Sequence, residues 1–108
     1  MITRKRFREE VQNIVEQLVK VYHPEKIILF GSLLGKNNAP RDIDLFIIKK
    51  NPPHLGVERI RELDKKIKYK LATDFIVYTP KEVRNRGRLG DPFVRTILEK
   101  GDVLYEKE

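Results

Sequence analysis

Two aspartates, Asp42 and Asp44, stand one residue apart at the start of an apolar run, residues 45–48. In an extended strand, residues i and i+2 point to the same face about 6.6 Å apart, so both carboxylates lean toward one cation or one cation pair. Magnesium prefers oxygen ligands and binds one or two carboxylates together with waters and substrate phosphates. The pair therefore predicts a magnesium nucleotide site. The alternative is a polar turn after Pro40 whose carboxylates face water.

A Gly-Ser pair lies upstream, where Gly31 and Ser32 follow the apolar residues 27–30. A glycine lets a phosphate approach the backbone, and the serine hydroxyl and nearby N–H groups can bind it, most readily from a short helical turn between Ser32 and Lys36. The alternative is an ordinary strand-to-turn glycine with Ser32 as a cap. A P-loop is excluded, because three residues rather than four separate the two glycines and asparagine follows the lysine.

A third carboxylate, Asp74, begins the apolar stretch 74–78. An acid at the mouth of a strand suits a metal ligand, or a base that takes the proton from an incoming hydroxyl. Considered alone, it is better explained as a cap on the preceding turn. Its meaning therefore depends on whether the fold brings it to the other two acids.

Together, Gly31-Ser32, Asp42-x-Asp44 and the stretch 74–80 resemble the minimal nucleotidyltransferase family of the DNA polymerase beta superfamily, over residues 26–105. The resemblance implies a nucleotidyltransferase fold. It also implies that three acids are catalytic and bind two Mg²⁺ ions, and that three further residues bind ATP. The acids are Asp42, Asp44 and Asp74; the nucleotide-binding residues are Gly31, Ser32 and Lys36.

The resemblance further implies transfer of AMP from ATP to a hydroxyl of a partner, as in an antitoxin that neutralises a HEPN-domain ribonuclease toxin. Two departures leave a non-catalytic antitoxin, acting by occlusion, as the alternative. The family commonly has a small residue, an arginine and a glycine where this chain has residues 33–36, and often a serine in place of Arg41. A nucleic-acid binder and a small-molecule transferase also remain open, although nucleic acid is not expected as the main partner.

Hydrophobic periodicity predicts amphipathic helices over residues 4–22 and 54–71. Thr79-Pro80 begins a capping box and so predicts a short helix. Asp91-Pro92 predicts the start of a second short helix, which ends near Gly101. Strands are expected at residues 27–30, 45–48, 74–78 and 103–105. Because the link between the first two is short, they should be antiparallel in a mixed sheet flanked by helices, an α/β or α+β domain that spans residues 1–108.

The composition excludes several classes of protein. The chain has no cysteine, so disulfides, thiolate catalysis and cysteine-bound zinc are excluded. His23 and His54 lack the helical partner of a metal-binding pair and suit surface positions. No apolar stretch is long enough to span a membrane and no signal peptide is visible, so we expect a cytoplasmic protein, with homo-oligomerisation left open.

The formal net charge of +7 suits a polyanionic ligand such as a nucleotide, or alternatively a solvated, heat-tolerant surface. Two basic clusters stand out within it. Arg4, Lys5, Arg6 and Arg8 begin the first predicted helix, and the alternating arginines between residues 84 and 88 are expected in a glycine-bearing loop.

Overall fold

The structure, a computed structural model, describes residues 2–34 and 40–108. Its α-helices and strands follow the order α1, β1, β2, α2, β3, α3, α4 and β4. The helices are α1 (Arg4–Gln17), α2 (Gly56–Lys66), α3 (Pro80–Arg88) and α4 (Pro92–Lys100). The strands are β1 (Lys26–Phe30), β2 (Ile43–Ile48), β3 (Thr73–Tyr78) and β4 (Asp102–Glu106).

The four strands form one mixed sheet in the order β3-β2-β1-β4. Strand β1 is antiparallel to both β2 and β4, whereas β2 and β3 are parallel and joined through α2. The antiparallel pairing expected from the short link between β1 and β2 is confirmed. The α+β architecture with a mixed sheet is confirmed as well.

Both faces of the sheet are covered, because successive side chains of β1, β2 and β3 alternate between two apolar cores. Ile43, Leu45 and Ile47 of β2 pack on the α1 and α2 side. Phe46 and Ile48 pack on the α3 and α4 side. Asp44 continues this second set, so its side chain belongs to the face that α3 and α4 cover.

The first predicted helix is correct in position, but its last turn differs in type. The side chain of Thr3 accepts from the N–H of Arg6 and caps α1. After α1 the chain widens into a π-helical segment, Leu18–Tyr22, that ends at His23 in the left-handed region with φ of 58°. The wider turn keeps Leu18 and Tyr22 buried against the sheet.

The second predicted helix is too long at both ends, since α2 covers Gly56–Lys66 alone. Val57, an apolar residue in the first turn of α2, is 57% exposed. From Ile67 onward the chain is no longer helical, and its backbone is bonded to α1. Gln17 accepts from the N–H of Lys68 at 2.7 Å and donates to its carbonyl at 2.6 Å. These long-range bonds favour a non-helical backbone over continuation of the helix.

The two short helices begin as predicted. Thr79 and Glu82 form a reciprocal capping box at α3, and Asp91 caps α4 through the N–H groups of Phe93 and Val94. The arginines at positions 84, 86 and 88 lie in α3 rather than in a loop, so that prediction was wrong. The capping box and Pro80 start the helix, and the single Gly87 near its end does not break it.

No helix in the described ranges combines the length and apolar character needed to cross a membrane.

Candidate functional site

Three carboxylates meet at one end of the sheet. Asp42 lies just before β2, Asp44 lies within it, and Asp74 stands directly beside Asp44 in the parallel register of β2 and β3. One carboxylate oxygen from each lies within 4.8 Å of the others. Asp42 and Asp44 are half-buried and Asp74 is exposed, so the cluster faces solvent and is accessible to a ligand.

Gly31 forms the wall beside Asp44. It begins a 3₁₀ turn, Gly31–Leu34, directly after β1, with φ of +81°. A Cβ at this position would lie 2.8 Å from Cγ of Asp44 and would overlap its Oδ2 oxygen. Glycine is therefore required twice here, for its backbone conformation and for the close approach of the carboxylate.

The three carboxylates of the cluster repel one another electrostatically. Burial raises the pKa of the Asp44 carboxyl to about 6, and repulsion from Asp42 and Asp74 adds to the rise. A hydrogen bond from the backbone N–H of Ser32 opposes it. Like charges held this close are stabilised by a cation placed between them, because the cation removes the repulsion that raises the pKa.

Ser32 contacts the segment that carries the first two acids. Its hydroxyl donates to the carbonyl of Asp42 and accepts from the N–H of Arg41, both at 3.4 Å. Its own N–H is directed to Asp44. The serine thus holds the carboxylates in place, while its two long hydroxyl bonds are weak enough to be exchanged for a phosphate oxygen. Its role as a phosphate ligand stays a prediction.

Arg4 is a residue of the site that sequence reasoning did not assign to it. Its Nη1 donates to the carbonyl of Leu33 at 3.0 Å, and so connects the first turn of α1 to the 3₁₀ turn beside Asp44. The sequence shows a basic cluster at the start of α1, but it does not indicate that this cluster contacts the turn after β1. Twenty-nine residues separate the two partners, and only the packing of α1 on the sheet brings them together.

The remaining predicted residues divide into three groups. Lys36 lies outside the described residues. Phe46, which shares the sheet face of Asp44, is fully buried and packs against Tyr78 with ring centroids 5.2 Å apart. His23 and His54 are exposed and stand apart from the carboxylates, as expected of surface residues.

The donor set fits magnesium. Three carboxylates supply hard oxygen ligands, and their exposure on one side leaves room for the waters and phosphates that complete an octahedral shell. Asp42, Asp44 and Asp74 are the residues that would hold such an ion. Among the described residues they form the one cluster of three or more potential metal ligands.

The comparison with protein families agrees with this geometry. A family model described as polymerase beta, nucleotidyltransferase, matches residues 12–108, which include the acids and the Gly-Ser turn. No curated protein and no solved structure shows significant similarity to the chain. The matched range begins inside α1, so Arg4 and the first two turns of that helix lie outside it.

Proposed function

The chain belongs to the polymerase beta nucleotidyltransferase family, and on that premise we propose that it transfers AMP from magnesium-bound ATP to a hydroxyl group of a partner. The observation that carries the proposal is the convergence of three carboxylate oxygens within 4.8 Å beside a glycine turn. Bound Mg²⁺ supplies the positive charge that stabilises the attacking and leaving oxygens in such a displacement.

The position of each residue in the site indicates its role in this reaction. Asp42, Asp44 and Asp74 would hold the metal, and the turn at Gly31 and Ser32 offers a small residue and a hydroxyl to the phosphates. Asp74, the most exposed of the three, takes the proton of the acceptor hydroxyl. The acceptor oxygen then bonds to the α-phosphorus, the bond from that phosphorus to the bridging oxygen breaks, and pyrophosphate leaves.

We propose a HEPN-domain ribonuclease toxin as the acceptor, with the chain as its antitoxin. The resemblance of the Gly-Ser and acidic motifs to minimal nucleotidyltransferases supports this role by analogy. An exposed apolar side chain at the end of α3 is consistent with a protein partner, since Leu89 is 84% exposed.

The test is label transfer from ATP carrying a radioactive α-phosphate to a purified HEPN-domain protein. We expect a labelled partner with wild type and no label with Asp44→Asn, which keeps the shape of the side chain but removes its charge. Asp102→Asn, an exposed acid in β4, is the matched control and should retain transfer. Full transfer by Asp44→Asn would contradict the assignment of the metal site.

A second candidate function is inhibition by occlusion, without catalysis. It is favoured by the engagement of Ser32, whose hydroxyl and N–H are both directed to the Asp42–Asp44 segment rather than to open space. In that case the chain forms a stable complex with the toxin and inhibits its ribonuclease activity equally well in the presence of a chelator. Inhibition that requires ATP and Mg²⁺ favours catalysis instead.

A further inference from the structure

An apolar slot lies beside the carboxylate site, between the end of β1 and the helix α4. Its volume is about 270 Å³. Only apolar atoms of the described residues are exposed in it. Six of the lining residues matter to the argument: Phe30, Gly31, Leu34, Phe93, Ile97 and Gly101.

The slot and the acids share a wall. Gly31 lines the slot, and its Cα lies so near Asp44 that no Cβ could fit between them. Phe30, the next lining residue, is the direct cross-strand partner of Asp44 in the antiparallel pair of β1 and β2. Its ring points to the same face of the sheet as the Asp44 carboxylate. A nucleotide with its phosphates at the Gly31 turn therefore has the slot within reach.

Phe93 is a large apolar side chain that the packing of α4 leaves partly exposed. Two other residues of α4, Val94 and Ile97, are buried and attach the helix to the sheet. Phe93 remains 44% exposed and makes an edge-to-face contact with Phe30, with ring centroids 5.7 Å apart and planes at 89°. This arrangement leaves part of one aromatic surface available to a planar ligand.

We infer that the slot binds the nucleobase of the donor nucleotide, by stacking and apolar contact against Phe93. The slot suits a base better than phosphates, because Thr96 and Lys100, which also line it, expose only apolar atoms there. Pockets for drug-sized ligands run from about 300 to 1,000 Å³, so a slot of this size suits one planar ring system rather than a whole nucleotide. The inference rests on the proposed function and adds the part of the substrate that this surface recognises.

The chemistry of the lining also predicts what the site does not distinguish. Strong discrimination between bases requires hydrogen bonds to their edges, and an apolar pocket cannot supply them. ATP and GTP should therefore bind within about tenfold of each other. The pyrimidine nucleotides should bind somewhat more weakly than either, because a smaller ring buries less apolar surface.

The experiment is calorimetric titration of wild type and Phe93→Ala with two ligands in the presence of Mg²⁺: ATP and inorganic tripolyphosphate. We expect Phe93→Ala to weaken ATP binding about tenfold, the loss typical of removing one ring on which a base stacks. Tripolyphosphate has no base, so its affinity should be the same for both proteins. Phe93→Tyr keeps the ring and should bind ATP like wild type.

Leu98→Ala is the matched control, because Leu98 lies on the same helix, is 42% exposed, and does not line the slot. It should leave the affinity for both ligands unchanged. Equal ATP binding by wild type and Phe93→Ala overturns the inference, as does an equal loss of ATP and tripolyphosphate. If wild type binds neither ligand, the proposed function itself fails, and that outcome is distinct from a failure of the slot alone.

Discussion

At the scale of single residues, the site depends on a glycine that no other residue can replace. Gly31 has a positive φ, and a Cβ at this position would clash with the carboxylate of Asp44. Gly90 has the same φ of +81°, but a Cβ added there would meet no other atom within 4 Å. Alanine substitutions at the two positions therefore separate the energetic cost of the left-handed backbone from the cost of the steric clash with Asp44.

We predict that Gly31→Ala and Gly90→Ala both lose about 1–2 kcal/mol of stability from the left-handed backbone. Gly31→Ala alone should also displace Asp44 and lose magnesium nucleotide binding. Urea unfolding measures the first effect and ATP titration the second. Retention of wild-type ATP affinity by Gly31→Ala would show that the close approach of Asp44 has no role in binding.

Asp44 connects stability with function. Its ordinary carboxyl pKa is 3.8 and its value in the folded protein is about 6. Because the folded pKa is the higher one, the protonated form stabilises the fold fully below pH 3.8, and this contribution is lost as the pH rises through about 6. At pH 7 the ionised Asp44 therefore lowers the stability of the metal-free protein.

We predict that Asp44→Asn stabilises the metal-free protein at pH 7 by about 1 kcal/mol, after allowance for solvent screening. The same variant should lose the additional stabilisation that Mg²⁺ gives to wild type. Thermal unfolding in chelator and in Mg²⁺, at pH 7 and at pH 4, measures both effects, and the gain should shrink at the lower pH. A lower melting temperature than wild type in chelator at pH 7 would contradict this account.

At the scale of elements, α1 is attached to the rest of the fold by a buried acid. Glu10 is 3% exposed, and its Oε2 accepts from the N–H groups of Lys70 and Leu71 at 2.5 and 2.8 Å. Burial raises the pKa of this carboxyl, but the hydrogen bonds from Lys70, Leu71 and Asn13, together with the charge of Arg6, outweigh burial and hold the pKa below its usual 4.5. The bonds hold the non-helical segment after α2 against α1.

We predict that Glu10→Ala destabilises the protein by about 1–3 kcal/mol, because two part-buried backbone N–H groups lose their acceptor. Glu10→Gln keeps an acceptor oxygen and should lose less. The folded pKa of Glu10 is lowered, so its stabilisation is present above pH 4.5 and is lost as the pH falls through the lower folded value. Urea unfolding from pH 7 to pH 3 should show a smaller acid loss for Glu10→Gln than for wild type; identical acid profiles would be inconsistent with this role.

The elements also show what local sequence determines. The caps at Thr79 and Asp91 and the alternation along β2 depend on near neighbours, and these predictions are correct. The end of α2 and the role of Arg4 depend on partners far along the chain, and sequence reasoning missed both. The acids lie between these cases, because i and i+2 spacing pairs Asp42 with Asp44, whereas Asp74 joins them only through the parallel register of β2 and β3.

At the scale of the whole molecule, the folded unit extends beyond the part that matches the family. The matched range begins at residue 12, yet Phe7 is 2% exposed and Val11 is 7% exposed in the larger core. In the same segment, Arg4 donates a hydrogen bond to the carbonyl of Leu33, and Glu10 accepts one from the N–H of Lys70, after α2. The first two turns of α1 therefore belong to the structure that positions the site.

We predict that deletion of residues 1–11 abolishes cooperative thermal unfolding. Truncating one buried Phe costs about 3–5 kcal/mol, and the whole stability of a domain is about 5–15 kcal/mol. Loss of Phe7 and Val11 together with the bonds of Glu10 removes most of that margin. Phe7→Ala is a milder variant, which should still unfold cooperatively but at a lower temperature than wild type. A deletion variant with the melting temperature of wild type would show that the matched range folds by itself.

The most direct test of the metal nucleotide site is calorimetric titration of ATP into wild type and Asp42→Asn, first with Mg²⁺ and then with excess chelator. Asp102→Asn serves as the control for loss of one exposed negative charge. We expect wild type and Asp102→Asn to bind ATP only with Mg²⁺, and Asp42→Asn to bind weakly or not at all. ATP binding that is equally strong with chelator, or that is unchanged in Asp42→Asn, would contradict the assignment of the three carboxylates as the metal nucleotide site.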